Sequence, residues 1–218
     1  MRPVTSNCGK RVVGYLTQWG ASEVTEQQLR RLTHVIYVFV VSQKNGTITL
    51  DNETPNDRFY SVKDMILSTN SSVKMMISIG GHRKNRRFPL MISDTKRRKT
   101  LIDSLASFIV EHDLDGVDIY WVWSTNIDKM NHSSFLLELR DKLNDLKVQR
   151  KRTENYVISM IVPPFIDLLR NGYDLKEIIK HVDFLNVLTY DYHLNANRTG
   201  PNSPIYGDVE TSMRLWDT

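Results

Sequence analysis

A chain of 218 residues is long enough for one large domain with a well-buried core, and 40% hydrophobic with 25% charged residues is an ordinary globular composition. No apolar run approaches the roughly 18 residues that a membrane helix needs, and residues 1–8 lack the apolar core of a signal peptide. The net charge of +4 is concentrated in residues 83–99 and 147–152; no nucleic-acid motif or interleaved aromatics accompany it, so a solvated loop and helix face is expected there rather than a nucleic-acid or acidic-polysaccharide surface.

In chain order, residues 11–16 have the look of a first strand, ending near Trp19-Gly20. A short helix follows over 25–31, where Thr25 and Gln28 are spaced for a capping box. Residues 35–41 are a continuous β-branched and aromatic run, as in a strand buried on both faces. Asn45-Gly46 predicts a turn. Phe59, Val62 and Ile66 have helical spacing up to residue 68, and residues 73–79 predict a third strand closed by Gly80-Gly81. Asp94 caps a predicted helix over 95–112 with the apolar stripe Leu101, Leu105, Phe108 and Ile109.

The fourth strand is predicted over residues 114–123. On a strand, alternate side chains face opposite ways. Val117, Ile119, Trp121 and Trp123 form one face, suited to packing under helices. Gly116, Asp118, Tyr120 and Val122 form the other. A carboxylate and a phenol on an otherwise apolar inner face must be hydrogen-bonded or functional, because burying them unpaired costs several kcal/mol. Phe135, Leu136, Leu139 and Leu143 mark the next helix. Residues 156–162 predict a fifth strand stopped by Pro163-Pro164, Leu175, Ile178 and Ile179 a short helix, and residues 184–190 a sixth strand. A last helix is predicted over 209–216. Alternating β and α with continuous apolar strands implies a parallel sheet with helices outside it. By pattern alone, a doubly wound sheet and a (β/α) barrel fit equally well.

Asp115-Gly116-Val117-Asp118-Ile119-Tyr120-Trp121-Val122 resembles the fourth-strand signature of the family 18 glycoside hydrolases, the chitinases and chitinase-like lectins, which runs Asp-Gly-x-Asp-x-Asp-x-Glu. Asp115, Gly116 and Asp118 match. Tyr120 stands where the family has Asp, and Val122 where it has the proton-donating Glu. The resemblance continues in order along the chain. Gly14-Tyr15 and Trp19 are similar to the first-strand Tyr and following Trp, and Ile36-Tyr37-Val38-Phe39 to Ile-Tyr-Ala-Phe. Ser78-Ile79-Gly80-Gly81 is similar to Ser-x-Gly-Gly, Leu188-Thr189-Tyr190-Asp191 to Met-x-Tyr-Asp, and residues 200–206 to the loop after it. His82 takes the place of a common sugar-stacking Trp. The resemblance implies an incomplete (β/α)8 TIM barrel with about six of eight strands. Residues 10–218 would form that domain, stopping after strand six, behind a tail of residues 1–9.

The same resemblance implies cleavage of β-1,4 links between N-acetylglucosamine units, assisted by the substrate's own acetamide. The Glu protonates the leaving oxygen, the Asp before it steadies the acetamide, and the sixth-strand Tyr hydrogen-bonds its oxygen. With Val122 and Tyr120 in the acid and partner positions, no intact catalytic set is expected, only the remnants Asp115, Asp118, Tyr120 and Val122. Asp128, six residues past the acid position, is the candidate for a relocated acid; Glu111 and Asp113 are expected at the opposite end of the strand. Asp118 is expected either to touch sugar or to be satisfied by Tyr120 or Ser78. Tyr190 and Asp191, with Tyr15 and Phe39, are the expected sugar-binding residues, Trp19 an added stacking candidate. Aromatic core packing is the alternative for Tyr15, Trp19 and Phe39.

The expected function is therefore a catalytically inactive chitinase-like protein binding chitin or chito-oligosaccharides. The alternatives are an interaction or decoy protein without sugar binding, and an active chitinase with a relocated acid. No cofactor, metal or nucleic acid is expected, since the six His lack metal-ligand spacing and there is no phosphate loop. No membrane span is expected. Self-association through open sheet edges is expected for the chain as given. The compartment stays open: the family is usually extracellular, and five sequons (Asn45, Asn52, Asn70, Asn131, Asn197) suit secretion. The single Cys8 and the lack of a signal peptide point the other way.

Overall fold

The computed structural model describes residues 11–20, 23–50, 57–69, 72–81, 87–192 and 200–205. The elements are β1 Val13–Thr17, α1 Glu26–Leu29, β2 His34–Ser42, β3 Ile48–Leu50, α2 Asp57–Ser68, β4 Lys74–Gly80, α3 Phe88–Ser93 and α4 Thr95–Glu111. After them come β5 Gly116–Tyr120, α5 Lys129–Gln149, β6 Val157–Val162, α6 Ile166–Gly172, α7 Leu175–Ile178 and β7 Phe184–Val187. The path β1-β2-β4-β5-β6-β7 is parallel throughout, and β3 pairs antiparallel with the end of β2. The curled sheet with helices outside it is a partial (β/α)8 barrel. Among the described residues, β1 and β7 are each paired on one side only.

Two apolar layers hold the sheet. On the helix side, Tyr37, Ile77, Ile79, Val117, Ile119 and Met160 pack with Phe59, Leu101, Leu105, Leu139 and Leu143. On the inner side, Ile36, Val38, Met76 and Val157 pack with Val13, Phe39 and Phe184. The two groups differ by one residue in strand parity, as a two-residue repeat requires. The Thr25–Gln28 capping box is formed, and the Asp94 side chain accepts from the Arg97 N–H at 2.8 Å to start α4. Gly116 is where β5 lies against β6: a Cβ there would sit 2.1 Å from the Val157 carbonyl oxygen. At Gly80 the backbone has φ +115°, which L side chains rarely adopt.

Several expectations are corrected. β5 ends at Tyr120 rather than residue 123, because its neighbour β4 ends at Gly80 and the Gly81 N–H takes the Tyr120 carbonyl at 2.9 Å. β7 ends at Val187 rather than residue 190. Its partner β6 stops at Val162, and Pro163-Pro164 beyond it carry no N–H to continue a ladder. The short β3 after the Asn45-Gly46 turn, and helices α3 and α6, lie outside the predicted elements. The basic segments are only partly solvated. Arg98 is 9% exposed, its guanidinium bonded to Glu138 and to the Ile92 carbonyl. Arg152 bonds Asp115 at 2.8 Å and lies over the Tyr156 ring. Both are anchors between elements, which composition alone does not reveal. No helix among the described residues is long and apolar enough to cross a membrane. Cys8, His82, Tyr206, the 209–216 helix and the sequons at Asn52, Asn70 and Asn197 lie outside the described residues.

Candidate functional site

Strand register aligns Val38, Ser78, Asp118 and Ser159 in one row across β2, β4, β5 and β6. Their shared parity turns them inward, so a carboxylate has a serine on either side. Asp118 has no exposed surface. Its Oδ2 accepts from the Ser78 hydroxyl at 2.7 Å and from the Tyr15 hydroxyl at 3.2 Å. Its Oδ1 accepts from the Ser159 hydroxyl at 2.6 Å and from the Asn186 amide at 3.4 Å. The Asn186 amide also donates to the Tyr15 hydroxyl at 2.9 Å, so side chains of β1 and β7 meet inside the curl.

Four donors satisfy the four acceptor positions of a carboxylate. Burial pushes the Asp118 carboxyl above the usual carboxylate range, and the bonds from Ser159, Ser78, Tyr15 and Asn186 oppose that push. Burial, then the nearby Asp118 charge, raises the Tyr15 phenol above its ordinary value. Tyr120, two residues beyond Asp118 on the same face, does not bond it. Its hydroxyl lies 3.3 Å from that of Tyr190. Burial first, then the Tyr190 contact, raises the Tyr120 phenol, so it stays neutral at physiological pH.

Above this buried network opens a cleft of about 790 Å³. Tyr15, Trp19, Phe39, Tyr120 and Tyr190 supply aromatic walls, and aliphatic residues of β1, β2 and the β7 region complete them. Phe39 meets Tyr120 edge-on at 5.0 Å and lies 6.2 Å from Trp19. Trp19 is 59% exposed, so its ring is a cleft wall and not core. Thr17 and Asn186 are the remaining polar lining, and no charged residue is among the described residues that line it.

The other expected residues are placed elsewhere. Asp191 follows Tyr190 with φ +62° and is exposed; its N–H donates to the Asn202 side chain at 3.1 Å, and it does not line the cleft. Asp115 is at the far end of β5, where Oδ2 accepts the Met75 N–H at 2.9 Å and Oδ1 meets Arg152. Asp113 shares the hollow at that end with Asp115. Asp128 is 9% exposed and bonded to the Thr125 hydroxyl at 2.6 Å and N–H at 3.2 Å, away from the cleft lining. Val122 follows the strand in a turn.

Ser159 and Asn186 were not singled out from sequence. Each is a lone polar residue inside an apolar strand, a signal available from parity, but only register tells which carboxylate they reach.

The family described as Glycosyl hydrolases family 18 matches this chain over residues 11–218. Mouse chitotriosidase-1 is 25% identical over 233 aligned positions, which cover 94% of this chain and 49% of the mouse protein. The crystal structure of an immunomodulatory active chitinase from Trichuris suis superposes with a TM-score of 0.83 at 24% identity, covering 95% of this chain and 59% of that one. Human YKL-39, described as a pseudo-chitinase with retained chitooligosaccharide binding, superposes with a TM-score of 0.80 at 21% identity, covering 92% and 57%. At these identities the two superpositions establish shared fold. The chain spans about half the length of the curated relatives it matches.

Proposed function

The chain belongs to family 18 of the glycosyl hydrolases, and on that premise we propose that it is a chitinase-like protein that binds β-1,4-linked N-acetylglucosamine oligomers without cleaving them. The carrying observation is the cleft itself: five aromatic walls, and no carboxylate in its described lining. Sugar rings present apolar C–H faces that stack on such walls, while their hydroxyls stay toward water. Tyr15, Phe39, Trp19 and Tyr190 would contact the sugar, and Asp191 would lie at the rim. That YKL-39 is described as keeping chitooligosaccharide binding as a pseudo-chitinase supports the same reading.

Calorimetry with chitotetraose tests it. Binding is expected, and Trp19→Ala should weaken it by about 1 kcal/mol or more through lost apolar contact. The ring is largely exposed, so thermal stability should not change. An absence of heat with the parent protein would favour an interaction protein whose cleft takes no sugar.

The open edges carry a second part of the proposal. Among the described residues, β1 and β7 each present an unpaired row of backbone groups without an internal Pro or Lys to discourage pairing. The polypeptide of residues 1–218 should therefore self-associate. A sharp monomer peak by size-exclusion chromatography with light scattering would refute this.

A further inference from the structure

The polar hydrogens beneath the cleft are all engaged. Ser78, Ser159 and Tyr15 each use their single hydroxyl proton on Asp118. Asn186 directs its amide at Tyr15 and at Asp118. The carboxylate in turn has two donors on each oxygen and no exposed surface. A ligand amide reaching from the cleft toward Asp118 would meet, among the described residues around that carboxylate, neither a free donor for its carbonyl nor a free acceptor for its N–H. Breaking one of these bonds to make room costs about what the new bond returns, with the displaced group left unsatisfied.

Tyr120 closes the same end sterically. Its ring stands at the end of β5, edge-on to Phe39 at 5.0 Å and to Tyr15 at 6.3 Å, with its hydroxyl facing Tyr190. Apart from Thr17 and the paired Tyr120 and Tyr190 hydroxyls, what the described lining offers a ligand is therefore mainly aromatic and aliphatic surface. We infer that the cleft recognises the faces of β-1,4-linked pyranose rings without reading an N-acetyl substituent, Tyr120 being the residue that removes that discrimination. Glucose oligomers of the same linkage fit as well as N-acetylglucosamine oligomers. This rests on the sugar-binding reading above and adds its selectivity.

Parallel calorimetric titrations with chitotetraose and cellotetraose separate the two claims. Dissociation constants within fivefold of each other are the expected result. A preference beyond fivefold for either sugar overturns the inference and leaves sugar binding standing, whereas absence of binding to both overturns the sugar-binding reading and the inference with it. Tyr120→Ala should shift the ratio at least fivefold toward chitotetraose, since it opens the space beside Asp118 that the ring fills. Tyr120→Phe keeps the ring and should keep the ratio within fivefold. An unchanged ratio in Tyr120→Ala, or an equal shift in Tyr120→Phe, overturns the steric role of the ring.

Discussion

Incubated with chito-oligosaccharides, this protein is expected to release no more product than a buffer blank. A positioned general acid contributes roughly 100- to 10,000-fold, and protonating a glycosidic oxygen requires an acidic group within hydrogen-bond reach of it. Val122 has no proton to give. Tyr120 is neutral and held against Tyr190. Asp118 is a carboxyl with no exposed surface and four donors around it, so it reaches no substrate oxygen. Asp128 is bonded to Thr125 in the turn that starts α5. A fluorogenic chito-oligosaccharide assay reads this directly, and turnover that disappears in Asp128→Ala would overturn it by showing a relocated acid at work.

The second large effect is on stability in acid. His132 is fully buried on α5, its ring between those of Trp121 at 4.9 Å and Tyr173 at 5.6 Å, and neither ring nitrogen has a hydrogen-bond partner among the described residues. Burial alone lowers its pKa from 6.5 to about 3, while burial holds the Tyr173 phenol up at about 12, neutral throughout. Above the ordinary value His132 is neutral in folded and unfolded chains alike, and its contribution is fully present. As pH falls through 6.5 the unfolded chain takes the proton and the folded chain does not, so stability drops until about pH 3. The slope approaches about 1.4 kcal/mol per pH unit, on the order of 4–5 kcal/mol across the window. That is comparable to the whole stability of many domains. His34 and His112, also lowered first by burial, act in the same direction. Urea melts at pH 7 and pH 5 should show a loss of about 2 kcal/mol in the parent protein and much less in His132→Leu. Equal losses in the two proteins would show that His132 is not the group being titrated.

The local elements were legible because their signals are local. The Thr25–Gln28 box, the Asp94 cap and the stripe Leu101, Leu105, Phe108 and Ile109 are set by neighbours within a turn or two, and each is formed. The two faces of β5 were legible for the same reason: side-chain direction on a strand alternates with a period of two. The order of motifs along the chain carried the barrel, which pattern alone left level with a doubly wound sheet.

Strand ends and polar partners were decided only in the folded chain. β7 stops where Pro163 ends its neighbour, and β5 where Gly80 ends β4; a strand lasts only while another backbone faces it. Asp118 was expected to turn to Tyr120 or Ser78. It turns to Ser78, to Ser159 and to Tyr15 and Asn186 from the two edges of the curl, while Tyr120 turns to Tyr190, 70 residues away. A hydrogen bond depends on distance in space, and the sheet's register and curl bring together groups as far apart as Tyr15 and Asn186, a separation that no local pattern encodes.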